Sequence, residues 1–155
     1  MPWDQIFNFA NLFAMVCWAV LAFAPRRERV VAPLFYAGVG LMSLSYAILI
    51  VGLLGGIIDG GAGGGGGSPD FTTLSGVQAI FDTQGGATIG WVHYLAFDLF
   101  VGIWAARNAD GRGIGRITQV PILVFIFMAG PLGLTLYLIL RQFVGTPREN
   151  ATVPS

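Results

Sequence analysis

Four apolar stretches, at about 5–24, 30–56, 89–107 and 117–144, are each long enough to cross a bilayer. Some 30 Å of hydrocarbon takes roughly 17–25 helical residues, and backbone polar groups in lipid must find their hydrogen bonds within the chain. The sequence therefore predicts an all-α membrane protein: a four-transmembrane-helix bundle forming a single membrane domain, 1–155. With 55% hydrophobic and 10% charged residues it stands well apart from ordinary soluble domains. Its formal net charge is zero and it has no lysine, so nothing supports a nucleic-acid partner. A chain this small leaves room for a homodimer.

The first stretch ends in Ala22-Phe23-Ala24, which mimics a signal-peptide cleavage site, but residues 1–5 carry an acid and no positive charge. It is read as a permanent helix, and with no Arg- and Ser-rich transit segment the expected home is a bacterial inner membrane. Arg26, Arg27 and Arg29 lie in the first connector and Arg107, Arg112 and Arg116 in the third. Only Arg141 and Arg148 fall on the opposite side of a four-span topology. Positive charge marks the cytoplasm, so both termini are expected to face outward. The lone Cys17 has no disulfide partner.

Between the second and third stretches, 57–70 is a glycine-rich segment that reads as a flexible linker and lacks a phosphate-loop ending. After it, Asp70 is placed to cap a short interfacial helix over 71–82, with Phe71, Leu74, Val77 and Phe81 at helical spacing. It lies either on the membrane surface or over the bundle as a lid. Small residues at Gly38, Gly40, Ser43, Ala47, Gly52 and Gly56 suit close helix approach. Pro131, in Gly130-Pro131-Leu132-Gly133, breaks the hydrogen-bond ladder and predicts a kink in the fourth helix.

The chemistry concentrates in residues 90–102, an apolar run containing His93, the chain's single histidine, and Asp98. An ionisable group at the centre of a membrane helix costs roughly 2.5–3.5 kcal/mol on insertion scales. Counted from the outer surface at ~1.5 Å per residue, Asn11, Tyr46, Asp98 and Pro131 fall at one level, roughly 10–18 Å deep. Trp91, Tyr94 and Asp98 share a helix face, whereas His93 stands about 140° from Asp98. A desolvated acid keeps its proton unless paired and is able to donate it to an oxygen on an apolar ligand. The bland alternative is an Asp98 that bonds Asn11 or Tyr46 to hold helices together. Phe97, Phe100, Trp91 and Trp104 either line a slot for a conjugated molecule or simply pack. One histidine without a His/Cys/Glu cluster argues against zinc or di-iron, and no metal or cofactor is expected.

Asn11-Leu12, Trp18 and Pro25, residues 90–102 with Trp104, Pro121, and Phe127-Met128-Ala129-Gly130-Pro131-Leu132-Gly133-Leu134 together resemble the neoxanthin-synthase-like proteins, relatives of the plant abscisic-acid-deficient-four protein. The resemblance covers most of the chain. It implies a four-helix membrane protein tied to carotenoid isomerisation, in which an epoxide opens to an allenic alcohol. Such a reaction needs an acid at the epoxide oxygen and a base at the polyene end. On this chain Asp98 and His93 are the expected catalytic pair with Tyr46 as relay, and Asn11, Trp91, Tyr94, Phe97, Gly130 and Pro131 are the expected substrate contacts. The expected ligand is a carotenoid or other apolar isoprenoid. A non-catalytic carotenoid-, quinone- or lipid-binding or assembly protein is the alternative. A proton or solute carrier would need more intramembrane charge.

Overall fold

The computed structural model describes residues 1–63 and 70–144; the greater part of the glycine tract, 64–69, and Arg148 lie outside the described residues. Helix α1 (Trp3–Phe23) starts after Pro2 with Asp4 in its first turn, where a negative charge complements the helix dipole. It stops before Pro25, with Ala24 already extended. A tight turn leads into a second rod, Glu28–Leu54. This rod is composite: α2 (Glu28–Pro33), a π-helical segment (Leu34–Val39) and α3 (Gly40–Leu54). Pro33 has no amide hydrogen and crowds the preceding turn, so the ladder is displaced there. The Gly40 N–H then bonds to the Phe35 carbonyl, five residues back.

Past α3 the described part of the connector is docked rather than free. Trp3 Nε1 donates to the Asp59 carbonyl at 3.1 Å, and the Gly85 and Gln84 amides donate to Gly60 and Ala62. The short helix α4 (Leu74–Phe81) is capped by Thr73, whose hydroxyl accepts from the Gly76 amide, and not by Asp70. Asp70 instead accepts from Thr72 and Thr73 in the loop ahead of it. Gly76 and Ile80 face the protein, while Phe71, Leu74 and Phe81 are exposed. Helix α5 (Gln84–Gly111), capped by Thr83, is the longest helix and forms the axis of the molecule. Its Val92, Leu95, Ala96, Leu99, Ile103 and Ala106 are buried. Of the small residues on the second rod, Gly38 makes the close approach, its Cα facing the Cys17 sulfur and Leu99.

The fourth expected span is not a span. Helix α6 (Arg116–Met128) and helix α7 (Gly130–Phe143) are separated by Ala129, at φ −155° and ψ 74°, and lie back to back. The two ends of this pair meet the same end of α5. Gln119 bonds to Asp110 and to the Ile114 carbonyl, while Arg112 donates to the Arg141 carbonyl and Tyr137 to Asn108. The tip, at Gly130, lies against Asp98, midway along α5. Helices of 13 and 14 residues are about 20 Å long and cannot cross the hydrocarbon. Among the described residues there are thus three helices long and apolar enough to span a membrane, plus a short helical hairpin whose two ends lie at the same end of the bundle. Gly133 makes the hairpin possible, because it packs on the backbone of Phe125 and Ile126 where a β-carbon would collide.

Two expectations are corrected by this. Pro131 does not kink a continuous helix; it occupies the first turn of α7, a position that favours proline because its N–H would be unpartnered anyway. The two ends of the described chain, Trp3 and Val144, do not share a side of the bundle either. Val144 lies at the end holding Arg26, Arg27, Arg29, Arg107, Arg112, Arg116 and Arg141, opposite Trp3. Asp4, Asp59, Asp70 and Asp82 lie at the Trp3 end.

Candidate functional site

Helices α3 and α5 run antiparallel and leave a groove between them that opens toward the bilayer. Val39, Ser43, Tyr46 and Ile50 recur every three or four residues along one wall. Gly86, Gly90, His93, Phe97 and Phe100 do the same along the other. Helix α4 roofs the Trp3 end, where Phe71, Ile80 and Phe81 close a cavity of about 120 Å³ that also includes Tyr46, His93 and Tyr94. Half-buried His93 sits in the middle of the groove. Its ring lies 5.2 Å from that of Tyr46 and stacks at 4.6 Å on Phe97, with Tyr94 edge-on at 6.1 Å. Among the described residues, neither Tyr46, His93 nor Tyr94 has a hydrogen-bond partner; the nearest bonds, at Ser45 and Trp91, bypass them. Polar groups in an apolar medium rarely go unbonded.

The remaining candidates gather on another face. Asp98, half-buried at the middle of α5, rests on Gly130, where a β-carbon would come within 2.7 Å of its Cγ. It bonds neither Asn11 nor Tyr46. Asn11 instead accepts from Trp91 Nε1 at 2.9 Å and donates to the Phe7 carbonyl, and Phe7 packs on the Trp91 ring at 5.9 Å. Asp98 lines neither the cavity under α4 nor the space below it. The nine residues singled out in the sequence therefore fall into two groups. Tyr46, His93, Tyr94 and Phe97 share the α3–α5 groove. Asp98, Gly130 and Pro131 meet at the hairpin tip, with Trp91 and Asn11 above them between α1 and α5.

One polar cluster has no counterpart in the sequence reading. At the arginine end, the Arg26 side chain is 4% exposed and donates to Asp110 at 3.0 Å, to Gln119, and to the Leu21 and Ala106 carbonyls. Arg116 ties the same end to the Phe23 and Ala24 carbonyls. This knot fastens the ends of α1 and α5 to the start of the hairpin. The visible signal was Gln119, an amide just inside an apolar stretch; reading Arg26 only as a topology marker hid its partner.

Three spanning helices, a half-depth hairpin and a polar cluster inside the apolar layer define a polytopic helical membrane protein. Residues 5–137 match the family model described as ABA DEFICIENT 4-like (ABA4-like), and the chain belongs to that family. The resemblance carried by residues 90–102 and 127–134 is to this same family. No curated protein and no solved structure matches the chain.

Proposed function

We propose that this chain is a membrane-embedded carotenoid-modifying enzyme, an isomerase related to neoxanthin synthase that acts on an epoxy-carotenoid or similar isoprenoid. Family membership supports a role in neoxanthin and abscisic acid biosynthesis. The observation that carries the chemical reading is the facing pair of Tyr46 and His93, unbonded to protein and roofed by α4. His93 takes the proton from the polyene carbon beside the epoxide. As the C–O bond breaks, the Tyr46 hydroxyl delivers a proton to the oxygen, giving an allenic alcohol. The imidazolium then returns its proton to the tyrosinate 5.2 Å away (ring to ring), so atoms and charge balance without a redox partner.

This reading moves the acid from Asp98 to Tyr46. Five residues of α5 separate His93 from Asp98, about 7.5 Å of rise on faces about 140° apart, whereas an epoxide oxygen and the proton lost beside it are neighbours. Asp98 lies at the hairpin tip against Gly130, outside the groove that holds this pair. The test is product formation by purified protein in lipid with an epoxy-carotenoid. Tyr46→Phe and His93→Gln each lower turnover by about a hundredfold or more, and Asp98→Asn retains most of it. The opposite pattern removes the assignment. Pigment that is bound tightly yet recovered unchanged from the wild type supports the non-catalytic binder instead.

A further inference from the structure

The groove does not end at His93. Below the Phe97 ring it opens into a larger space of about 290 Å³, lined by Val39, Ser43, Ala96, Phe97 and Phe100. Ser43 stands one turn from Tyr46 on the same face of α3, and Phe97, stacked on His93, stands between the two spaces, which follow one another along the same α3–α5 groove. From Gly86 to Phe100 the channel is about 21 Å long at ~1.5 Å per residue. Its far end coincides with the end of the π-helical segment, whose last residue is Val39 and whose Phe35 meets Phe100 at 6.0 Å. A π turn widens a helix locally and is frequent where a helix borders a functional site. Among the described residues Ser43 has no hydrogen-bond partner, although the neighbouring Ser45 bonds to the Leu41 carbonyl one turn back.

We infer that the space beside Ser43 is a distal subsite holding the far portion of a rod-shaped polyisoprenoid whose reacting end lies at His93 and Tyr46. The inference rests on the polyene-ligand reading above and adds a length requirement to it. The occupant is an extended, flat-sided chain: the walls are ring faces and aliphatic side chains with Ser43 as the one polar group, too apolar for a charged occupant. Ser43 sets the boundary, since it is exposed to the groove and a large side chain there fills the space without entering the core. Ligands that end near His93 do not reach it.

The experiment compares binding of a forty-carbon dihydroxy carotenoid and of twenty-carbon retinol to wild type and Ser43→Trp in lipid nanodiscs, read by pigment absorbance and retinol fluorescence. Helical circular dichroism and elution volume establish that the variant folds, and Ser43→Val serves as a smaller substitution if it does not. Ser43→Trp lowers carotenoid affinity about tenfold or more, Ser43→Val lowers it less, and both leave retinol binding in place. Equal carotenoid binding by folded Ser43→Trp and wild type overturns the distal subsite and leaves the polyene reading standing. Loss of both ligands in folded Ser43→Trp overturns it too, because the two would then share one space. A wild type that takes up neither ligand overturns the polyene reading together with this subsite.

Discussion

Two sets of polar side chains in this molecule, one at the arginine end and one along the α3–α5 groove, are arranged in opposite ways. At the arginine end Arg26, Asp110, Gln119, Arg116, Tyr137 and Asn108 are bonded to one another or to backbone carbonyls, with only Arg26 Nη2 of the knot left buried without a partner among the described residues. In the half nearer Trp3, Tyr46, His93 and Tyr94 lie along a groove with no hydrogen-bond partner among the described residues. A buried donor or acceptor that loses its partner costs free energy, so the first set holds helices together. The second set gains nothing for the fold by being polar. Polarity kept where it does not stabilise is expected of groups that meet a ligand.

The largest effect expected of this contrast is on topology. If the arginine end includes the end of α7, a cysteine placed at Val144 is labelled by an impermeant reagent from the same membrane face as one at Arg29, and one at Asp4 from the other face. Val144 labelled together with Asp4 would restore a fourth span and dissolve the hairpin. Next in size is Arg26→Met, which leaves Asp110 and Gln119 without their cation and costs about 3 kcal/mol, toward the low end because Asp110 is 40% exposed. Thermal unfolding in detergent measures it, and an unchanged midpoint would mean that the knot is ornamental.

Smaller effects sharpen the contrast. Gly133→Leu forces a side chain onto the Ile126 backbone and loosens the hairpin by about 1–3 kcal/mol, read by the same unfolding assay. Tyr46→Phe and His93→Gln shift stability by less than about 0.5 kcal/mol, because neither residue has a protein hydrogen bond to lose. A loss as large as that of Arg26→Met would place them with the structural set. The smallest effect is at Asp70, whose carboxyl is held below the usual carboxylate range by the Thr72 amide, then by the Thr72 and Thr73 hydroxyls. A depressed value in the folded state means that the ionised form steadies the loop at neutral pH. That contribution fades as pH falls below about 4. The protection factor of the Thr72 amide, its exchange rate relative to an unstructured amide at the same pH, should fall in that range, and Asp70→Asn should abolish this loss.

Hydropathy made the three spanning helices legible, since only length and apolarity are needed to identify them. Thr73 and Thr83 cap the helices after the glycine tract in the ordinary way, whereas Asp70, the cap expected from the sequence, precedes the helix by too many residues and bonds within the loop. The hairpin was hidden for a physical reason. A stretch of 28 apolar residues satisfies the bilayer equally well as one long helix or as two short ones folded together, and hydropathy does not distinguish them. Two details pointed to the fold-back. Pro131 suits a helix start better than a helix middle, and Arg141 and Arg148 were the two arginines that broke the charge asymmetry. Bringing Arg141 to the other side removes its exception. The groove was less legible: the 140° between His93 and Asp98 showed that they face apart, but which of them faces α3 depends on packing.

Because the hairpin stops at the level of Asp98, the molecule is not a cylinder. A slice through the Trp3 half cuts α1, α3 and α5, while a slice through the arginine half cuts α1, the α2 and π-helical portion of the second rod, α5, α6 and α7. With its three long helices across a bilayer, a protein of this shape would displace more lipid from one leaflet than from the other. In the thinner half, acyl chains must fill the quadrant above the tip and wet the faces of Trp91 and Tyr94 directly.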